Sequence, residues 1–487
     1  MNVGQAIDPA LAQVPERTAL IVGDRQCSYR DLEQWVRRTA AALTARGVGP
    51  GAQVALVDNA SVLSVATILA AARIGASSAQ MNVLLTPDEL SKLVTAVDAR
   101  VGVAGGPFRA RLAEALGGDA VLGEDDIASL HGSELDGSVV AVDDADDALV
   151  LFTSGTTGLP KPIAISHGVV AERLNFYAAP IDPDAPPVVD MMSAPIFHIG
   201  GTLGLLVSLR SGRTVVMLPR FDAGAWLQAV EQHRVSQTFM VPTMLQRILD
   251  HPDFPSRDLS SLQQISYGAA AAPVALVERA LDALPDVGFV NAFGQTETLG
   301  AYAALSAEDH RARRKLGSAG KPFPGVELRI VDVASETDCP VGAVGQVWVR
   351  AAQNVTADWL RTGDLASLDE DGYLHPVGRM SDTINRGGEK FGPIEVEEVL
   401  RSHPAVRDAG VCGVPDPELG QRVAAVVVTV DGRVVDPDDL RTFAARRLAR
   451  FKLPERIVFA DDLPYSNLGK VSRQRLAAMI LAEEGTG

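Results

Sequence analysis

Cysteine is scarce: Cys27, Cys339 and Cys412 stand far apart in a chain of 487 residues. An odd, scattered set builds no disulfide framework and fits reduced thiols in the cytoplasm. Basic charge is also short. Lys and Arg number 44 against 61 Asp and Glu, a formal net charge of −17. That balance argues against a nucleic-acid backbone or an anionic membrane as a bulk partner. An anionic ligand must then be held by local groups rather than by the overall field. No low-complexity tract occurs, and the N-terminus has neither a basic n-region nor an apolar h-region, so no signal peptide is expected. Long apolar runs are nearly missing too. Residues 191–209 carry no charge and have the length of a span, but they include Pro195, His198, Gly200, Gly201 and Gly204. Such a mixture reads as a strand, a loop and a helix start, so no membrane span is expected.

What is present is the composition of a soluble globular protein, 47% apolar and 22% charged. The length suggests about three domains or subdomains. Strands are predicted over 18–22, 54–57, 101–104, 215–218 and 238–241. Helices are predicted from a Ser28 cap to Gly47, over 61–74, from the Thr86, Pro87, Asp88, Glu89 start, and over 223–233 and 243–249. This alternation predicts an α/β domain with a largely parallel sheet. From about Gly317 short β runs (327–331, 346–350, 373–377) predict a small barrel or sheet subdomain. The last segment, beyond Asp382, has nearly balanced charge. It predicts a helix over 393–401, a strand pair over 409–413 and 423–430, and a helix over 437–448. The expected organisation is a large N-terminal domain, 1–381, of α/β sheet subdomains plus a small β subdomain. A small mobile α+β C-terminal domain, 382–487, follows it.

The stretch around which the chain is organised runs from Leu151 to Lys161. A strand leads into Thr153, Ser154, Gly155, Thr156, Thr157 and Gly158, with Lys161 between Pro160 and Pro162. The glycines let backbone amides approach a guest, and the hydroxyls and the lysine converge as donors and a cation on phosphate. The flanking prolines make a helix starting at Lys161, and hence a Walker A loop, improbable. On its own the stretch is equally an ordinary polar surface loop. Four further stretches repeat its chemistry. They are the small-residue turn Gly268, Ala269, Ala270; the run Asn291, Phe293, Gly294, Thr296, Glu297; the turn Arg361, Thr362, Gly363, Asp364; and Lys470 on a glycine turn.

Together the five resemble the core motifs of the adenylate-forming superfamily of acyl-CoA synthetases, peptide-synthetase adenylation domains and luciferases. They occur in the family's order over nearly the whole chain, from about Pro15 to Arg475. The resemblance implies a two-step reaction. A carboxylic acid attacks the α-phosphate of ATP to give acyl-AMP and pyrophosphate, and a thiol, usually CoA, then takes the acyl group. It implies that Ser154, Thr156, Thr157 and Lys161 hold the β- and γ-phosphates, that Glu297 holds Mg2+, and that Thr296 contacts the α-phosphate. Phe293 would stack on adenine, Asn291 would meet its amino edge, and Asp364 with Arg379 would hold the ribose. Lys470 would reach the forming acyl phosphate. Asp382 takes the hinge position, and Gly387 and Gly388 the thiol tunnel. Each of these residues also has a plainer reading, as a core aromatic, a loop ion pair or a solvated lysine. Arg446, Arg447, Arg450 and Lys452 are either contacts for CoA phosphates or a solvated helix face.

The chain departs from the family in three places. Pro162 replaces the usual glycine after the loop lysine. The segment between Val349 and Arg361 is short. Phe197, His198, Ile199, Gly200 and Gly201 match the acid pocket, but His198 stands where amino-acid-activating members carry aspartate, which favours an acid without an α-amino group. The small residues Gly200, Gly201, Gly268, Ala269 and Ala270 are expected to leave room for a bulky acyl group, while His198 either gates the pocket or belongs to the core. A stand-alone ligase that loads an acyl carrier protein in place of CoA, a non-catalytic nucleotide-binding regulator, and a homodimer stay open.

Overall fold

The computed structural model describes residues 1–130, 138–153, 160–430, 432–465 and 471–484. Among these residues the strands form four sheets. One has the order Val121–Leu122, Val101–Ala104, Gln53–Val57, Ser77–Gln80, Asp147–Thr153, Lys161–Ser166, parallel except for the last pair. A second is built on the parallel strands Thr18–Val22, Thr214–Met217, Val189–Met192, Gln237–Met240, Gln264–Gly268 and Gly288–Gln295. Antiparallel strands close its edges, Arg25–Ser28 on one side and Gly300–Leu305 with Lys321–Pro322 on the other.

The alternation expected from the sequence is therefore present, and local chemistry sets its limits. Ser28, Ser61 and Thr86 each begin a helix with a reciprocal capping box, pairing with Asp31, Ser64 and Glu89. Helix Val62–Arg73 is buried along its whole length. Its small and apolar residues on all sides suit a position in the middle of the molecule. Leu20, Leu56, Leu151, Ile165, Leu205 and Leu299 belong to one core, so the two large sheets share it. The run 191–209 resolves as the end of strand Val189–Met192, a loop, and most of helix Ile199–Arg210. Among the described residues no helix is long and apolar enough to cross a membrane.

Beyond these sheets lies a four-stranded antiparallel sheet, Glu327–Val331, Gly345–Arg350, Leu360–Leu368, Leu374–Arg379. It is an open sheet rather than a barrel. After Asp382 a fourth sheet forms, with Gly420–Thr429 at its centre, Val406–Asp416 on its edge and its own core around Val396, Val411 and Ala425. The hairpin of these two strands outruns the expected 409–413 and 423–430 because pairing continues to Asp416 opposite Gly420. Helix Pro437–Ala445 is shorter than the expected 437–448. Leu448 nevertheless keeps the helical spacing, since its N–H still bonds Ala444 O at 2.9 Å and its side chain stays in the core.

Asp58 follows strand Gln53–Val57 and is 6% exposed. Its carboxylate accepts from Asn59 N–H at 2.8 Å and from the Ser61 hydroxyl at 2.5 Å. Burial pushes this carboxyl up from 3.8 to about 6. A folded pKa above the unfolded one means the folded chain binds the extra proton, so this contribution to stability is lost as pH rises through about 4 to 6. Asp58→Asn should lack that slope. Its unfolding free energy from urea titrations should gain on the wild type between acid and neutral pH by on the order of 2–3 kcal/mol. A difference that does not change with pH would refute the assignment.

Candidate active site

The C-terminal ends of parallel strands are where α/β sheets present binding groups. Strand Gly288–Gln295 brings Asn291, Phe293 and Gly294 to such an end and runs into the 3₁₀ turn Thr296–Thr298. The turn is tightly held. The Thr298 hydroxyl accepts from Gln295 N–H at 3.1 Å and lies 2.7 Å from Gly300 O, while Leu299 adopts φ +42°. A Cβ on Gly294 would lie 2.0 Å from Gly300 O, so only glycine lets the chain double back here. Leu299 is buried beside Leu151 and Ile165, which docks the turn against the strands flanking the phosphate-loop stretch. Val355 N–H donates to Glu297 O at 3.0 Å. The shortened segment before Arg361 therefore braces this turn from outside, and it borders a shallow cavity of about 340 Å³ lined by Glu327, Arg350, Asn354 and Thr356.

Thr153 ends one strand and Lys161 begins the next, paired in register. Lys161 starts a strand, not a helix, as its two prolines require, and it is exposed. Ser154, Gly155, Thr156, Thr157 and Gly158 lie outside the described residues, as does Lys470. Among the described residues neither Lys161 nor Glu297 has an ion-pair partner, and no cluster of three metal-ligating side chains exists.

The adenosine candidates lie on two sheets and are linked through Tyr302, which meets Phe293 and is reached by the charges of Asp364 and Arg379. Asn291 donates its amide N–H to Ser318 O at 3.1 Å, which leaves its carbonyl oxygen as the acceptor an amino edge needs. Phe293 meets Tyr302 edge to face at 5.5 Å and packs on the small β core, so it does have the core role as well. Asp364 and Arg379 are cross-strand partners, and Arg379 Nε donates to Asp364 Oδ1 at 2.8 Å. Strand alternation turns Arg361 of the same motif to the opposite face, where it pairs with Glu336 and stacks over Trp348.

Two groups at this site were not found by sequence reasoning. Tyr302 is fully buried, and its hydroxyl has no hydrogen-bond partner among the described residues. Burial, and then the charge of Asp364, push its pKa well up. Phe239, at the end of strand Gln237–Met240, faces Gly200, where an added Cβ would sit 3.0 Å from its ring. Neither lies in a motif. Only the pairing of their strands brings them here.

His198 caps helix Ile199–Arg210 with its backbone, and its ring meets that of Phe197 at a tilt of 57° with centroids 4.7 Å apart. The room expected from small residues is missing at two of them. A Cβ on Gly201 would meet Pro195 O at 2.3 Å, and one on Gly268 would meet Ala292 O at 2.2 Å. Their missing side chains admit neighbouring backbone, not an acyl group. Ala269 follows with φ +65° and Ala270 is half-buried. In the last domain Asp382 sits in the turn Met380–Asp382, and Gly387 and Gly388 are exposed with φ +59° and +95°. Of the basic run, Arg447 stacks over Phe443 at 4.1 Å and Lys452 pairs with Glu395 at 2.5 Å, while Arg446 and Arg450 are exposed.

A family model for AMP-binding enzymes matches residues 7–357, and one for the AMP-binding enzyme C-terminal domain matches 395–470. The chain is 36% identical to a feruloyl-CoA synthase of Amycolatopsis sp over 94% of each chain. It is 32% identical to an indoleacetate–CoA ligase of Aromatoleum aromaticum over 99% of this chain and 98% of that one. Similarity extends to a fatty acid–[acyl-carrier-protein] ligase of Streptomyces coeruleorubidus, at 31% over 95% and 93%. Among solved structures, an amide bond synthetase from Marinactinospora thermotolerans superposes with a TM-score of 0.88 at 30% identity, covering 98% and 99%. An o-succinylbenzoate CoA synthetase from Bacillus subtilis, in complex with its acyl-adenylate intermediate, gives 0.85 at 27%, covering 97% of each chain. With both family models matched in order and relatives of this likeness along its whole length, the chain belongs to the AMP-binding enzyme family, the adenylate-forming acid–thiol ligases.

Proposed function

We propose that the protein is an AMP-forming acid–CoA ligase for carboxylic acids without an α-amino group, and that aromatic acids are among them. The observation that carries the reading is that the Thr296–Glu297 turn continues the strand of Asn291 and Phe293, and that Tyr302 links Phe293 to the Asp364–Arg379 pair. In the first step the acid's carboxylate displaces pyrophosphate from the α-phosphate. In the second a thiol displaces AMP. The protein's task is positioning and fixed positive charge, since both partners of the first step are anions. Lys161 and the donors at 154–158 would grip the departing pyrophosphate, Thr296 the α-phosphate, and Lys470 the bond-making end.

Glu297 suits Mg2+. Its half-exposed carboxylate, without an ion-pair partner among the described residues, is the single protein ligand that suffices for an ion bringing waters and phosphate oxygens. When bound, that ion would neutralise charge on the phosphates. Aromatic acids are favoured by the ring of Phe239 beside Gly200 and the neighbouring rings of Phe197 and His198, and by the relatives named for feruloyl and indoleacetate. The domain boundary at 381/382 is part of this reading. It places the lysine stretch and the Gly387–Gly388 turn on one small unit that has a core of its own.

A panel of ferulate, indole-3-acetate, benzoate and medium-chain fatty acids, each offered with ATP, Mg2+ and either CoA or an acyl carrier protein, decides the acceptor. A CoA thioester with an aromatic acid is expected. Thioester on the carrier protein alone would support the carrier-loading rival, for which the Streptomyces coeruleorubidus relative speaks.

The two half-reactions should separate by mutation. Lys470→Ala should lower acid-dependent ATP–pyrophosphate exchange by roughly 10²–10³-fold and spare transfer from supplied acyl-AMP to CoA. Gly388→Leu should do the opposite. Gly388→Ala shares its strain at φ +95° without its bulk and serves as the control. Equal loss of both steps in both variants would contradict the assignment.

A further inference from the structure

The large and small domains meet at the turn Met380–Asp382, and ion pairs hold it from both sides. On the large-domain side Arg379 binds Asp364 at 2.8 Å. On the small-domain side Asp382 Oδ2 lies 3.9 Å from Nε of Arg473. That guanidinium is itself fixed. Its Nη1 donates to the carboxylate of Glu397, whose side chain is 4% exposed, and to Val411 O at 2.8 Å. Glu397 in turn accepts from Val411 N–H at 2.9 Å and faces Arg401 at 3.7 Å. Nε is buried and has no hydrogen-bond partner among the described residues. Asp382 is the carboxylate facing this buried donor, beyond ordinary hydrogen-bond distance.

The same network extends through Arg401 and Asp408 to Tyr465, and Tyr465 and Val471 flank Lys470 in the chain. Tyr465 bonds Asp408, Asp408 pairs with Arg401 at 2.8 Å, and Tyr465 bridges Val471. Residues 465 and 473, on either side of Lys470 in the chain, therefore both rest on the Glu397–Arg401–Asp408 network. We propose that Arg473 is a positioning residue, one that locks the small domain to the inter-domain turn through Asp382 and so sets where Lys470 is presented. The inference rests on the reading of Lys470 as the group serving the first step. A second contact points the same way, since Asp462 of the small domain meets Arg247 of the large one at 3.6 Å.

The test uses the full chain with spin labels on Cys339 and on Val434→Cys. Cys27 and Cys412 are buried and stay unlabelled, and Val434 is 98% exposed. Asp382→Asn removes the charge at the turn and leaves the Glu397 pair intact, so it remains informative even where Arg473→Lys fails to fold. The wild type should give one dominant inter-label distance. Both variants should shift population to a second distance by roughly two- to fivefold, the worth of a half-exposed pair. Distributions identical to the wild type would overturn the proposal.

A second readout is the ratio of acid-dependent pyrophosphate exchange to thioester formation from supplied acyl-AMP. It should fall by a similar factor in both variants, whereas a merely structural Arg473 would lower both steps alike and leave Asp382→Asn unaffected. A wild type without exchange for any acid would defeat the reading of Lys470, and the distance measurement would still decide the proposal.

Discussion

Two anions must meet at this site, a carboxylate and a triphosphate, inside a chain that itself carries −17. At 4 Å and an effective dielectric near 20, each like-charge pair costs about 4 kcal/mol. The overall field does not help, so the few local cations and donors decide whether the reactants approach. Arg379 is committed to Asp364, and Arg361 faces away toward Glu336. Lys161 remains at the mouth of its hairpin, exposed and without an ion-pair partner among the described residues. In the proposed reading Mg2+ and Lys470 supply further positive charge at the phosphates, and a cation carried by a second domain would make the angle of that domain a functional quantity.

The rest of the architecture serves that convergence. Parallel strands with buried helices place Gly268, Asn291 and Phe293 along one edge. Glycine is used there for close backbone approach: Gly294 lets the chain reverse into the Thr296–Glu297 turn, and Gly268 lets strand Gln264–Gly268 lie against Ala292. The shortened segment before Arg361 keeps a role, since Val355 holds the backbone of Glu297 and Gln353 reaches Ala301 O at 3.4 Å. Arg173, buried beneath Tyr177, donates to the same Ala301 carbonyl at 2.7 Å. The carboxylate turn and the strand after it are thus braced by two elements remote from one another in sequence.

Much of this was legible beforehand because the signals are local. Capping boxes at Ser28, Ser61 and Thr86 mark helix starts by chemistry within four residues, and all three are present. Asn291, Asp364 and Arg379 were singled out through the resemblance of their motifs to a family, since their partners, Ser318 for Asn291 and each other across strands for Asp364 and Arg379, lie off their own strands. Tyr302 and Phe239 lie in no such motif; Tyr302 reaches Phe293 through the hairpin of their strands, and Phe239 reaches Gly200 only through packing. The expectation of space at Gly201 and Gly268 failed for a related reason. A glycine in sequence says that a side chain is missing, and only packing says what takes its place, here Pro195 O and Ala292 O.

The account stands on cleavage of ATP at the α-phosphate rather than the γ-phosphate. Phosphorus NMR of the complete reaction, with the protein, ATP, Mg2+, CoA and an accepted aromatic acid, reads that directly. AMP and pyrophosphate should accumulate in equal amounts with the thioester. ADP and inorganic phosphate in their place would contradict it.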